Sequence, residues 1–170
     1  MTVWFTADTH FGHGAARGRF RRPFTTTAEM NETLIARWNA CVAPDDTVWH
    51  LGDFAYRVTR DAMSALLTRL NGTKHLITGN NDGPETVALP GWASVQAYAE
   101  IELDGARLVL CHYPFRTWNG MYKGTLNLHG HSHGQLAGLT RQVDVGVDVW
   151  DYRPVTLDII RKRPRRRASP

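Results

Sequence analysis

Strand-length apolar runs in this chain keep ending in the same kind of residue. Asp8-Thr9-His10 follows residues 2–6, Gly52-Asp53 follows 47–51, and Gly79-Asn80-Asn81-Asp82 follows 74–78. His112 then follows 107–111, and Gly130-His131-Ser132-His133 follows 126–128. Carboxylates, amides and imidazoles placed just past strands call for a sheet whose carboxyl edge gathers them, because ligand sites of open α/β sheets lie outside that edge. The donors are oxygen and imidazole nitrogen, the set of a catalytic transition-metal site rather than of a closed structural zinc site.

The segments between these runs fix the fold class. Residues 12–23 are rich in glycine and arginine and are expected as a loop. From Thr27, the positions Met30, Leu34, Ile35 and Trp38 follow helical spacing and stop near Cys41 and Pro44. Thr59-Arg60-Asp61 opens a second helix through Met63, Leu66, Leu67 and Leu70, with Asn71-Gly72 as its stop. Residues 98–103 and 107–111 flank Asp104-Gly105, a hairpin signal, and 143–149 and 155–160 read as closing strands. The order is β-α-β-α-β followed by mostly antiparallel β, an α/β fold of two packed sheets flanked by helices. A chain of 170 residues suits one such domain, assigned to 1–160.

Charge is unevenly spread. Residues 161–170 hold six of the 20 bases and no acid, which leaves 14 bases against 16 acids in the body. A globally basic nucleic-acid face is therefore not expected; a short, basic, disordered tail is, and it is suited to weak contact with polyanions. Cys41 and Cys111 have neither metal-type nor redox spacing and read as reduced thiols. No secretory pattern precedes the first strand, and no run approaches the ~20 apolar residues of a membrane span. These features place the chain in the cytoplasm, away from membranes. Oligomeric state is not legible.

Each motif has a bland reading on its own. Asp-x-His is common, Gly-Asp often marks a turn, and a histidine ending a buried strand is usually interior. Two imidazoles flanking one turn in Gly130-His131-Ser132-His133 are more pointed. Asp8 and His10, two residues apart, can face one side past the strand. Asp53 is the best candidate to bridge two cations, which at about 3.5–4 Å acidify a shared water and bind the oxygens of an in-line displacement. Two divalent ions against Asp8, Asp53 and a hydroxide leave the centre net positive, which suits a phosphate.

Taken in this order, Asp8 to His10, Gly52-Asp53, Gly79 to Asp82, His112 and Gly130 to His133 resemble the signature of the calcineurin-like metallophosphoesterase superfamily, in particular its small bacterial single-domain members. The resemblance covers residues 8–148. It implies a four-layer α/β/β/α sandwich with two packed mixed β-sheets and a centre of two divalent transition-metal ions, manganese first among manganese, iron, zinc, cobalt and nickel. Asp8, His10, Asp53 and His133 would hold one ion, and Asp53, Asn80, His112 and His131 the other. The implied activity is hydrolysis of phosphate esters by a metal-bridging hydroxide.

One block departs from the family pattern. Asn81 stands where the family usually has the histidine that protonates the leaving group, with Asp82 expected to orient it. An amide donates a hydrogen bond but gives up no proton, and general acid catalysis is worth about 10²–10⁴-fold. Phosphodiesters (nucleotide, cyclic nucleotide or nucleic acid) are therefore the expected substrates rather than phosphomonoesters. The alternative is a catalytically impaired scaffold that binds a partner, or an engineered inactive variant. His13 is the candidate replacement acid, while His50 and His75 read as interior packing residues. Arg17, Arg19, Arg21 and Arg22 could clamp phosphate oxygens. Tyr113, Arg116, Trp118 and Asn119 could form the opposite rim, with Trp118 read as packing in preference to stacking a base.

Overall fold

A computed structural model describes residues 1–163. Its elements run β1 (Val3–Thr6), α1 (Gly14–Arg19), α2 (Thr27–Asn39), β2 (Thr47–His50), α3 (Arg60–Thr68), β3 (Thr73–Ile77), α4 (Pro84–Val87), β4 (Trp92–Gln96), β5 (Tyr98–Leu103), β6 (Ala106–Cys111), β7 (Leu126–His129), β8 (Gln142–Asp144), β9 (Val155–Thr156) and α5 (Leu157–Lys162). A five-stranded sheet has the order β4-β3-β2-β1-β9, parallel except for β9, and a four-stranded sheet has the order β5-β6-β7-β8. Two mixed sheets with surrounding helices give the α/β architecture expected from the sequence.

Local chemistry explains the long helices. Thr26 caps α2 by accepting from the N–H of Glu29 at 3.0 Å, and the Glu29 carboxylate reaches back to the N–H of Thr25 at 2.7 Å. Met30, Leu34, Ile35 and Trp38 form the buried stripe of α2, and Met63, Leu66 and Leu67 that of α3. Both stripes join Val48 and Phe54 in a core on the helix side of the five-stranded sheet. Phe5, Leu51 and Ile77 instead meet Leu108, Leu110 and Leu128 in a second core, with the two sheets face to face.

Several expectations need correction. Residues 12–23 are not all loop: α1 turns there and buries Ala16. Neither α4 nor β4 was foreseen. The second sheet is not mostly antiparallel, since only β5 and β6 pair that way while β6, β7 and β8 run parallel. Residues 143–149 extend only to Asp144, whose carboxylate accepts from Gly146 N–H at 2.8 Å and turns the chain into a 3-10 turn at Val147–Val149. The strand expected over 155–160 is two residues long. Thr156 then caps the N–H of Ile159, with Asp158 in the first turn and Arg161 and Lys162 in the last, so a helix takes over. The rest of the expected basic tail, 164–170, lies outside the described residues. No helix among those described is long and apolar enough to cross a membrane.

His50 shows what the first core demands of a polar group. It is fully buried, and its ring lies near those of Trp38, Phe54 and Trp92. The Thr9 hydroxyl donates to Phe54 O at 2.8 Å and so accepts from His50 Nε2 at 2.9 Å. Burial lowers the imidazole pKa to about 3. An unfolded histidine titrates near 6.5, so below that pH the unfolded chain gains a proton that folded His50 refuses. Stability must fall with pH by about 1.4 kcal/mol per unit for this group. His50→Gln, which keeps a donor for Thr9, should flatten the dependence of unfolding free energy on pH by about that amount between roughly pH 6 and 4. Urea titrations measure this, and an unchanged slope would contradict the assignment.

Candidate metal centre

Asp8, His10, Asp53, His131 and His133, five of the seven candidate ligands, have φ between 47° and 65°, in the left-handed region. Non-glycine residues pay roughly 1–2 kcal/mol each for that conformation. Backbone bonds between neighbouring turns hold it: Asp8 N–H donates to Gly52 O at 2.9 Å, His10 N–H to Asp53 O at 3.0 Å, and Phe11 N–H to Phe54 O at 2.9 Å. The turn after β1 is thereby zipped to the turn after β2.

Carboxylates at least half-buried fix the remaining turns. Asp82 accepts from the N–H groups of Asp53 and Gly79, both at 2.8 Å, and of Phe54 at 3.0 Å. Burial raises its pKa to about 6 against the pull of those three bonds. The expected role of Asp82, orienting the side chain beside it, is therefore corrected: both of its oxygens brace the turns that carry Asp53 and Gly79. Asp144 does the same for the last block, accepting from Ser132 Oγ at 2.8 Å and from Gly134 N–H at 2.9 Å. Asp8 receives the N–H of His131 at 2.9 and 3.1 Å on its two oxygens.

These turns bring the donors together. Ligand atoms of Asp8, His10 and His133 lie within 4.8 Å of one another, as do those of Asp8, Asp53 and His112. Asp53 faces both ways: His10 Nε2 is 3.5 Å from its Oδ2, and His112 Nε2 is 3.6 Å from its Oδ1. Asn80 Oδ1 lies 3.1 Å from His112 Nε2. His131 is exposed on the open side, its ring 5.1 Å from that of His112.

The protonation pattern fits a cation. His112 Nδ1 lies 2.8 Å from Leu51 O, a pure acceptor, so the proton sits on Nδ1. Burial lowers the His112 pKa, and Nε2 then turns a lone pair toward the Asn80 and Asp53 oxygens with no proton between them. His10 Nε2 is buried without a hydrogen-bond partner among the described residues, and burial, reinforced by Arg22, lowers its pKa to about 2. An unsatisfied buried acceptor costs about 1–3 kcal/mol, and a divalent ion satisfies it. His133 Nδ1 is held by Asp148 Oδ2 at 2.7 Å, which turns Nε2 toward Asp8 Oδ1, 3.9 Å away.

The arginines divide. Arg22, expected to grip substrate, is buried and forks onto Asp148 through Nε and Nη2, both at 2.8 Å. It also donates to Asp8 O at 2.6 Å and Thr9 O at 2.9 Å, so it fixes the ligand turn and the partner of His133. Burial alone would raise the Asp148 pKa, but the bonds from His133 and Arg22 bring it below its usual value. Arg17 also turns inward, donating to the carbonyls of Phe24 and Thr25. Arg21 and Arg116 are exposed and do not line the cleft over the ligands, whereas Arg19 does. That cleft, about 590 Å³, is also lined by His13, Phe20, Tyr56, Arg57 and Asn81. Phe20 stacks on His133 with ring centroids 3.4 Å apart, and His13 Nδ1 lies 3.3 Å from His10 Nδ1. Asn81 donates to Asp53 through its backbone N–H at 2.8 Å and its side-chain amide at 2.5 Å. Trp118 is buried and donates to Thr125 O, a packing role, and His75 is half-buried against Trp49 and Ser94. Sequence reasoning missed Asp148, Asp144, Arg57 and Tyr56 as parts of the site.

Gly52 marks a close approach of the turns after β2 and β3 and of His112. Its φ is +91°, and a Cβ there would lie 2.6 Å from both His112 Nδ1 and Gly79 N. Gly105 in the β5–β6 turn has φ +70° and open space around it. Gly105→Ala should therefore cost only the left-handed penalty, about 1 kcal/mol, and leave metal content alone. Gly52→Ala should cost at least about 2 kcal/mol more and reduce bound divalent metal. Urea denaturation with elemental analysis checks both, and equal losses would refute the close-approach argument.

Residues 1–147 match the family model described as the calcineurin-like phosphoesterase superfamily domain. The uncharacterized protein MJ1445 of Methanocaldococcus jannaschii is 31% identical over 168 residues, covering 94% of this chain and 89% of that protein. The Gene 66 protein of Mycobacterium phage D29 is 31% identical over 191 residues, covering 94% of both chains. The solved structure of the protein of unknown function AQ665 from Aquifex aeolicus superposes with a TM-score of 0.77 at 24% identity, covering 94% of this chain and 97% of that one, a likeness of fold.

Proposed function

The chain belongs to the calcineurin-like phosphoesterase superfamily, and from that premise we propose that it hydrolyses phosphodiesters (nucleotide, cyclic nucleotide or nucleic acid) in preference to phosphomonoesters, at a centre of two divalent metal ions. Membership implies divalent-metal binding, and the clustered lone pairs around Asp53 suit it. Asp8, His10, Asp53 and His133 would hold one ion and Asp53, Asn80, His112 and His131 the other, with manganese the first metal to test. Bound there, the ions supply Lewis-acid polarisation of the phosphoryl group and an acidified water as nucleophile.

The residues around the ligands do the rest. Arg22 and Asp148 hold His133 in register, and Asp82 holds the turn that presents Asp53. Phe20 covers His133 and narrows solvent access from the α1 side. The observation that carries the preference is Asn81: it lines the cleft beside Asp53 and can orient an oxygen but deliver no proton. Leaving groups that depart without protonation suit such a site. His13 lines the same cleft and would be the group to hold a proton there, against burial and the charges of Arg22, Arg19 and Arg57, which lower its pKa.

With Mn²⁺ added, bis-p-nitrophenyl phosphate should be turned over faster than p-nitrophenyl phosphate, and no turnover of either would defeat the enzymatic reading. Because Asp53 faces both ligand groups, Asp53→Asn should lower metal content from about two ions per chain to nearly none. Loss of one ion alone would remove the bridging assignment.

Asn81→His should raise turnover of alkyl phosphomonoesters by about 10²-fold or more while changing aryl diesters little. Metal content should stay constant, since Asn80 is the proposed ligand. Equal, negligible effects on both classes would transfer the acid role to His13.

A further inference from the structure

Apart from the candidate ligands, the charged side chains lining the cleft are all of one sign. Arg19 and Arg57 line it, and its only acid is Asp53. Neither arginine forms an ion pair with a described residue; each lies instead against an aromatic ring, Arg19 near Phe20 at 5.7 Å and Arg57 near Tyr56 at 5.3 Å. Both guanidiniums keep their hydrogen-bonding edges for a ligand.

The loop that carries Arg57 is pinned to the segment that leads into α1, the helix that ends at Arg19. Phe11 N–H donates to Phe54 O at 2.9 Å and Tyr56 N–H to Phe11 O at 3.2 Å, with Phe11 and Ala55 bridged in parallel. Gly12 packs so closely on this loop that a Cβ there would lie 2.1 Å from Val58 Cγ2. His13 continues the contact, its ring 4.6 Å from that of Tyr56. Arg57 holds φ +56°, a strained conformation of the kind that clusters at functional sites. The loop that carries Arg57 and the start of α1 are therefore fixed against each other beside the candidate ligand turns.

A cleft of about 590 Å³ is in the size range of a whole organic ligand rather than of one phosphate group. We propose that Arg19 and Arg57 form a second anion subsite beside the metal centre, and that the favoured substrate is a phosphodiester carrying a further phosphate next to the scissile one, as successive nucleotides of a nucleic-acid strand do. This rests on the phosphodiesterase reading above and names its substrate class. Guanidiniums suit the task because they pair bidentately with phosphate oxygens and stay charged at every working pH.

The test compares the Mn²⁺-loaded protein on thymidylyl-thymidine, which has one phosphodiester, and on the same dinucleotide bearing an extra phosphate at its 5′ or its 3′ end. One of the phosphorylated forms should show a kcat/KM about 10-fold or more higher, mostly through KM, from one charge-assisted contact. Arg57→Gln or Arg19→Gln should bring that ratio close to one, and Arg57→Lys should keep part of it. A wild-type ratio near one for both phosphorylated forms, or a ratio that survives both glutamine variants, would overturn the subsite. Should the protein hydrolyse none of the three, the phosphodiesterase reading fails separately. The subsite is then decided by titrating the same dinucleotides into the loaded wild type and variants, where an affinity gain from the extra phosphate that Arg57→Gln abolishes supports it and equal affinities overturn it.

Discussion

The carboxyl edge of this fold depends on where the N–H groups of its strand-end turns find acceptors. Ladder hydrogen bonding stops at the ends of β1, β2, β3 and β7, so the N–H groups of the turns beyond them must be met by something other than a sheet. Buried and half-buried carboxylates meet them. Asp82 takes three N–H groups from two turns, Asp144 takes those of Gly134 and Gly146, and Asp8 takes that of His131. Hydrogen bonds to charged groups contribute roughly 1.5–3 kcal/mol each, comparable to the roughly 1–2 kcal/mol of each left-handed residue they stabilise. The strained ligand turns persist because the acids around them over-determine their shape.

Those acids create the electrostatic problem that the centre must solve. Burial raises the pKa of Asp8 well above the carboxylate range, and the nearby charges of Asp144 and Asp53 push it the same way. Arg22 is the cation buried among these acids, and its fork is committed to Asp148. His10 and His112 give no relief, since burial lowers the pKa of both. Acids reluctant to ionise and histidines reluctant to protonate have one shared remedy, a multivalent cation, which favours the charged form of the first and the neutral form of the second. Metal affinity and protonation are coupled in such a cluster.

Much of this could be read from the sequence because strand ends are legible. β1, β2 and β3 are β-rich runs, α2 and α3 keep a clean helical stripe, and Asp104-Gly105 announces the β5–β6 hairpin. The candidate ligands stand out because each follows such a run. What failed was short or read two ways. Four residues in α4 and six in α1 carry no periodicity, and β4 is half-buried and partly polar. Val155 to Ile160 has strand composition, yet one threonine cap converts it to helix. Asp82 misled because sequence adjacency suggested it served residue 81, whereas the turn points its carboxylate back at Asp53 and Gly79. Arg22 and Asp148 are 126 residues apart, and nothing in a single sequence pairs them.

The separation of roles among the arginines follows from burial more than from position in the chain. Arg17, Arg19, Arg21 and Arg22 look interchangeable as a run. Arg22 is enclosed, so its charge must be answered within the protein, and Asp148 and two carbonyls answer it. Arg17 is partly enclosed and bonds carbonyls of the segment between α1 and α2. Arg19 stays exposed and reaches the cleft, where it meets Arg57, distant in the chain on the loop after β2. An enclosed guanidinium is spent on architecture, and an exposed one on a rigid cleft wall remains open to an incoming anion. That distinction confines the cleft-lining charge of the 17–22 run to Arg19, which Arg57 joins from the loop after β2.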